Sequence, residues 1–377
     1  MELSARRWLG DVAPIRHLDP VLILTSVGLT IYGLLMVYSA THQSLASLGE
    51  PRGFFLNKQL AFMMLGLIVL VIVAIFDYRL VKVYAPFIFA AAVLLLFLVL
   101  TPLGSEAAGA QRWITLVGFQ LQPSEIAKLA VIAMIAAYLS EIRTGIRLEH
   151  VWRAAGLTLI PMGLVILQPD IGTSMVFAVI LLALLVVGGA KGKHIGVLAL
   201  AALFAVVIAF RLGIVQDYQI ARLTGFLDPA NDPLRAGYNK EQAEIAIGAG
   251  GVTGSGYLSG TQTNLDFVPE QHTDFIFTVV GEEFGFIGAI LLLSLYGLMV
   301  WRGFRVAMLS RDTFGTLLAL GITAMWSFQI FINIGMTVGI MPITGIPLPF
   351  LSYGGSALLT NFIAVGLLLN VHMRRFK

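Results

Sequence analysis

From Pro20 to His372 the chain is a succession of apolar stretches of about twenty residues, each closed by a short polar joint. A run of that length crosses the hydrocarbon core of a bilayer as a helix, because only a helix satisfies its own backbone N–H and C=O groups there. Ten spans are predicted, near residues 20–40, 56–76, 82–101, 122–140, 152–168, 170–189, 193–212, 275–301, 313–340 and 348–372. The fifth and sixth are short and meet at Gln168-Pro169-Asp170, so a full crossing by each is not required. Composition agrees: 58% of the 377 residues are hydrophobic and only 12% charged. A transmembrane barrel is excluded, because the apolar runs are continuous rather than alternating. The predicted fold class is therefore an all-α polytopic membrane protein. It forms one integral membrane domain over residues 1–377, with a large extracytoplasmic loop, 211–273, between spans seven and eight.

The basic residues orient the bundle. Of 24 Lys and Arg residues, 16 fall on the side that carries both termini, 7 on the other, and Lys128 within a span. The positive-inside rule then puts both termini in the cytoplasm of a multi-pass protein. The same asymmetry accounts for the pI near 9.1 without nucleic acid as a partner. Trp8 reads as an interfacial anchor, and the first span as an anchor that stays rather than a cleaved signal. Cysteine is absent, which removes disulfides, thiolate chemistry and Cys-based metal sites.

Ionisable groups near hydrocarbon are costly, so their placement directs the search for function. The densest group is Thr261–Gly285, which holds Asp266, Glu270, His272 and Asp274 just before a span, and Glu282 and Glu283 inside it. Asp274 has two readings. A Thr-Asp pair before an apolar run is an ordinary helix cap, and it is also a carboxylate at the mouth of a membrane site. In the second outer loop Arg112 precedes Trp113, as an anchor or as a ligand cation. Gln122, Pro123 and Ser124 open a helix whose first turns carry Glu125 and Lys128 on one face, an ion pair predicted to face the bundle rather than lipid. Gln168-Pro169-Asp170 repeats the theme, and both places aim helix N-termini, suited to anions, at the same surface. Asn57, Lys58 and Gln59 at the edge of span two read as snorkelling groups.

The large loop carries Asp217, Arg222, Asp228 and Asp232, a short predicted helix near 238–247, and a glycine-rich run, 248–260. That run has neither the spacing nor the lysine of a phosphate-binding loop, and reads as a close-approach segment. From Pro342 onward, three prolines (Pro342 included) and three glycines interrupt an apolar stretch. Ser352, Tyr353, Gly354 and Gly355 there line a cavity, or else form a plain turn. No internal repeat is visible, and the ionisable groups collect on one face, which favours surface chemistry over transport.

The motifs Gly109–Trp113, Phe119–Lys128, Gln168–Ser174, Gly237-Tyr238, Pro269–Phe277 and Pro347–Ser356 follow one another in the order of the SEDS family (shape, elongation, division, sporulation). The chain resembles that family over nearly its whole length, and its rod-shape branch more than its division branch. The resemblance implies a peptidoglycan glycosyltransferase that polymerises lipid II, a disaccharide-pentapeptide on undecaprenyl pyrophosphate, at the outer face of the bacterial cytoplasmic membrane. It implies as partners a class B penicillin-binding protein that crosslinks the strands and other membrane proteins of the elongation complex. The family's essential aspartate falls on Asp274, and its functional cations on Arg112 and Lys128. Asp274 is then the candidate general base, with Arg112 and Lys128 as candidates for the pyrophosphate and Glu125 orienting Lys128. Gln122, Ser124, Gln168, Asp170, Glu270, His272, Ser352, Tyr353 and Gly354 complete the expected substrate-contacting set. No cofactor is required, although the carboxylates leave open a divalent ion, magnesium or manganese, that assists departure of the pyrophosphate. A lipid II flippase and a non-catalytic scaffold for the crosslinking enzyme are the competing readings.

Overall fold

The computed structural model describes residues 17–107, 110–116, 119–143, 145–211 and 236–376. The basic lead with Trp8, the Gly109 end of the Arg112 motif, and Asp217, Arg222, Asp228 and Asp232 lie outside the described residues. Among the described residues ten apolar helices form the bundle, as the ten runs predict: α1 (Pro20–Ser47), α2 (Phe54–Ile75), α3 (Tyr78–Val99), α4 (Pro123–Ser140), α5 (Leu148–Leu167), α6 (Ile171–Val187), α7 (Gly192–Arg211), α10 (Ile276–Met308), α11 (Thr313–Thr337) and α12 (Gly355–Met373). Eight of them are long and apolar enough to cross a membrane, and the apolar stretches of α6 (Ile171–Val187) and α7 (Gly192–Ile208) are shorter. Between them stand two extramembrane helices, α8 (Ala236–Gly250), where a helix over 238–247 was predicted, and the short α9 (Thr261–Asn264).

Helix starts follow their capping residues. Asp19 precedes Pro20 and accepts from the N–H groups of Val21 and Leu22 at 3.1 and 3.2 Å, and Asp312 accepts from Gly315 at 2.7 Å. The same end of the bundle is stapled by ion pairs, Arg302 Nε to Asp19 at 2.8 Å and Arg374 to Asp77 at 3.3 Å. Burial separates centre from periphery. In α12 and α4, 83% and 78% of the apolar window is covered by protein, against 17% in α3, whose Val83, Phe87 and Phe97 face outward.

Three expectations change. The second outer loop is not irregular but holds a small antiparallel sheet, β1 (Ser105–Ala107), β2 (Ala110–Leu116) and β3 (Phe119–Leu121), with Ile114 paired to Leu121. Helix α1 runs on to Ser47, through residues read as loop. Residues 348–354 are not the start of the last helix. Instead the segment between α11 and α12 is irregular backbone whose second half is sunk into the bundle, with Ile346, Leu348, Phe350, Leu351 and Ser352 buried while Ile340 is exposed.

That segment positions everything that follows. Irregular backbone at membrane depth must find its partners in protein. Here Tyr296 of α10 donates to the Pro349 carbonyl at 2.6 Å, and Asn333 of α11 donates to the Ile346 carbonyl at 2.8 Å. Gln59 of α2 donates to the Ser352 carbonyl at 3.2 Å and accepts from the Gly354 N–H at 3.3 Å. Gln59 is thus fully buried, not snorkelling, because it replaces the hydrogen bonds a helix would have made.

Candidate active site

Asp274 lies in a turn directly before α10, half-buried. The N-cap position of α10 falls on Phe275, one residue after Asp274. Its backbone is fixed from two sides. The Asp274 N–H donates to the Glu270 carbonyl at 3.0 Å, and Asn333 donates to the Asp274 carbonyl at 2.8 Å. Its carboxylate lies against Gly345, where a Cβ would stand 3.2 Å from Oδ2. Gly345 has φ +71°, so the buried segment turns at that point through backbone only glycine adopts readily.

From Gly345 the contacts lead to the start of α6. Gly172 lies so close beneath the neighbouring Thr344 carbonyl that a Cβ would stand 2.6 Å from it. The α6 N-terminus is capped by Asp170, whose Oδ1 accepts from the Thr173 N–H at 3.0 Å and Oδ2 from its hydroxyl at 2.9 Å. Asp170 therefore has a capping duty at the start of α6. Gln168, predicted to meet substrate, is buried and donates to the Leu96 carbonyl at 2.9 Å. Arg112 reaches this turn from β2, donating from Nε to the Gln168 carbonyl at 3.0 Å and from Nη2 to the Pro169 carbonyl.

On the other flank α12 meets the start of α4. Ser356 accepts from the Gln122 N–H and donates to the Gln120 carbonyl, both at 3.0 Å. Pro123 occupies the first helical position as expected, and Gln122 is the N-cap residue without a side-chain cap bond. Lys128 Nζ and Glu125 Oε1 are 2.8 Å apart, and both side chains are almost fully enclosed, 2% and 4% exposed. The Ser124 hydroxyl is buried with no hydrogen-bond partner among the described residues. The ion pair faces protein rather than lipid, as its cost in hydrocarbon demands.

His272 links the turn to the buried segment. Its carbonyl accepts from the Tyr353 N–H at 2.9 Å, and its ring packs 4.9 Å from Phe55 and 5.7 Å from Tyr353. Burial there holds the imidazole below its ordinary pKa, against the opposing pull of Glu270 and Asp266, so it is neutral at pH 7. Glu270 has φ +53° and its carboxylate accepts from the Thr273 hydroxyl at 3.1 Å. Among the described residues no three His, Asp or Glu side chains gather as a ready ligand set for a cation.

The structure thus brings Asp274, His272, Ser352, Tyr353 and Gly354 into one mouth, and joins it through residues 344–356 to Asp170 on one side and Gln122 on the other. Sequence reasoning missed Asn333, which stands as a lone amide inside an apolar run, and Ser356, which closes a motif already noted.

The arrangement defines a polytopic membrane protein with a carboxylate in the turn before α10 and cations on β2 and α4. The FtsW/RodA/SpoVE family, described as cell cycle proteins, matches residues 20–377. Similar proteins include peptidoglycan glycosyltransferase MrdB of Escherichia coli, 39% identical over 360 residues that cover 95% of this chain and 94% of that one. The probable peptidoglycan glycosyltransferase FtsW of Trichlorobacter lovleyi is 38% identical, over 94% of this chain and 92% of its own. Among solved structures, one describing the structural coordination of polymerization and crosslinking by a peptidoglycan synthase complex matches with a TM-score of 0.80 at 31% identity, over 96% of this chain and 99% of that one. Rod shape determining protein RodA of Thermus thermophilus matches with a TM-score of 0.71 at 29% identity, over 96% and 98%. The chain belongs to the FtsW/RodA/SpoVE family, the SEDS family to which its motifs point.

Proposed function

We propose that this chain is a peptidoglycan glycosyltransferase, the activity its relatives are named for, and that it polymerises lipid II into glycan strands during cell elongation with Asp274 as general base. One observation carries the assignment of the base. Asp274 stands directly before a membrane helix whose N-cap position is Phe275, with its backbone pinned by Asn333 and the Glu270 carbonyl and its carboxylate against Gly345. A carboxylate held that way can take the proton of the acceptor GlcNAc 4-hydroxyl as its oxygen attacks the anomeric carbon of the donor. The bond from that carbon to the undecaprenyl pyrophosphate breaks in the same step, and the α-linked donor becomes a β-linkage.

The departing pyrophosphate needs positive charge. Arg112 spends Nε and one Nη2 hydrogen on backbone carbonyls, which leaves guanidinium donors for a phosphate. Lys128 is held by Glu125, so its contribution is a fixed local dipole rather than a mobile arm. A divalent ion, magnesium or manganese, remains a proposal. It would be carried on the pyrophosphate and need only one or two carboxylates, such as Asp274 and Glu270, from the protein.

The partners are proposed on the same footing. A penicillin-binding protein of class B and other elongation-complex proteins are supported by the likeness to a chain of a peptidoglycan synthase complex. The orientation, with both termini cytoplasmic and the mouth outside, rests on the basic asymmetry. The cysteine-free chain permits a clean check: single cysteines at Ala249 and Ser259 should label from outside and one at Ala307 from inside.

A lipid II flippase is the second reading. It draws support from buried polar groups deep in the bundle, Thr323 and Gln329 of α11 and Thr360 and Asn361 of α12, of which Gln329 Oε1 and Thr360 Oγ1 lack partners among the described residues. Detergent removes the bilayer that a flippase needs. Solubilised protein with its crosslinking partner should turn lipid II into polymer, and the Asp274→Asn variant should not. No polymer from the wild-type protein would favour transport, and a tolerated Asp274→Ala change would favour the scaffold.

A further inference from the structure

Helix α10 is broken, and what fills the break ties it to the Asp274 turn. Gly285 has φ +60° and ψ −154°, outside any helix, and a Cβ there would stand 2.7 Å from the Val252 carbonyl. The glycine-rich segment after α8 occupies the gap. Phe286 and Ile287 donate to the carbonyls of Gly251 and Val252 at 2.9 and 3.1 Å, while Ser255 and Gly256 donate to those of Glu282 and Glu283, both at 3.0 Å. The carbonyls and amides freed by the break are thus satisfied by a second strand of backbone.

Glu282, on the last turn before the break, is 1% exposed, yet its carboxylate accepts three hydrogen bonds. They come from the Gln262 N–H at 2.7 Å, the Thr263 N–H at 2.9 Å and the Thr263 hydroxyl at 2.7 Å. From Thr263 the link continues. Its carbonyl accepts from the Gln271 amide at 2.9 Å, and that amide also donates to the Ala40 carbonyl at 3.0 Å and to Asp266 Oδ1 at 3.1 Å. One residue before Gln271, the Glu270 carbonyl receives the N–H groups of Thr273, Asp274 and Phe275.

We propose that Glu282 is a positioning residue for Asp274: anchored on the first half of the broken helix, it grips residues 262–263 and, through Gln271, fixes the height and angle of the catalytic turn. The proposal rests on Asp274 acting as the base. A merely structural carboxylate would satisfy buried amides and stop there. Glu282 instead closes a loop of hydrogen bonds that begins on α10 and ends on the turn just before it, which carries Asp274, so slack in it moves the carboxylate relative to the acceptor oxygen. Misplacement of about 1 Å costs on the order of a hundredfold in rate.

The test uses full-length protein with lipid II. Glu282→Gln keeps the shape but turns an NH₂ group toward three donors, and is expected to lower kcat by about ten- to a hundredfold with KM little changed. Amide hydrogen exchange should quicken at residues 262–263 and 270–275 while α4, α11 and α12 keep their protection. Thr263→Val, which removes one donor and leaves the carboxylate in place, should move both readouts the same way but less, and serves if Glu282→Gln fails to fold. In an Asp274→Asn background Glu282→Gln should cost no further activity, because a positioning residue acts only through what it positions. Wild-type turnover in Glu282→Gln, or loosened exchange across the whole bundle in both variants, would overturn the proposal. Absence of polymer from the wild-type protein would instead overturn the assigned reaction.

Discussion

Asp170 and Asp274 enter the sequence in the same guise, each an aspartate one or two residues ahead of an apolar run, and the fold gives them opposite work. Asp170 closes on the Thr173 N–H and hydroxyl, so its charge is spent on a helix start. Asp274 sits one position too early, with Phe275 at the N-cap, and its carboxylate lies against Gly345 of the sunken stretch 344–352. Position relative to the first helical residue sets Asp170 at a helix cap, and it leaves Asp274 one residue short of that position, where the proposed chemistry would use it. The two therefore should fail differently when changed.

The largest effect is expected at Asp274. Loss of a general base typically costs about 10²–10⁴-fold in rate, so Asp274→Asn should lose polymerase activity on that scale. Because Phe275 and not Asp274 holds the N-cap position of α10, the thermal midpoint should stay close to that of the wild type. A variant that melted early while keeping its turnover would reverse the contrast between the two aspartates.

Next in size is the buried pair on α4. Removing one partner of an enclosed ion pair strands the other and costs about 3–5 kcal/mol, so Lys128→Met alone should accumulate poorly. Pairing it with Glu125→Gln removes both charges and should restore accumulation and melting. Activity should stay low in the double variant if the Lys128 charge serves the pyrophosphate. Full activity there would reduce the pair to packing.

Asp170→Ala comes third, at about 0.5–2 kcal/mol for a lost N-cap. Its cost should show in melting, with turnover of the surviving folded protein within a few-fold of wild type. A turnover loss as deep as that of Asp274→Asn, with melting intact, would make Asp170 a member of the site.

What the sequence discloses of this contrast is uneven, for physical reasons. Ten helices are legible because the bilayer demands long apolar runs, and the Glu125–Lys128 pair is legible because helical spacing puts residues three apart on one face. The small sheet is not, since strands of three to seven residues in a polar loop leave no periodicity to read. Nor is the fate of residues 338–354, because prolines and glycines mark a turn equally well at a surface or in a core. Gln59 shows the consequence: from sequence it sits at a span's edge, and only the sunken segment gives its amide something to hold. Glu282 is visible as a costly acid in a span, but its partners at 262–263 become neighbours only once α10 breaks at Gly285.

The smallest effect separates the two turns by pH. His272 belongs to the Asp274 turn, packed between Phe55 and Tyr353, and its burial lowers its pKa from the ordinary 6.5. Between that lowered value and 6.5 the unfolded chain binds a proton that the folded chain refuses. Stability should therefore fall as pH drops through this window and level off below it, while above 6.5 His272 adds no slope. Asp266 and Glu270 oppose the shift without cancelling it, so the drop is shallow. His272→Phe keeps an aromatic ring against Phe55 and Tyr353 and removes the titration. Thermal midpoints of the wild type and His272→Phe, compared in steps from pH 7.5 downward, should run parallel above 6.5 and diverge below it, with the variant losing less. Asp170→Ala should leave that divergence untouched, because no imidazole lies in its turn. Parallel curves for wild type and His272→Phe throughout would mean that the Asp274 mouth admits enough water to leave His272 unperturbed. Its neighbour Asp274 would then work in a wetter setting than the packing of its turn indicates.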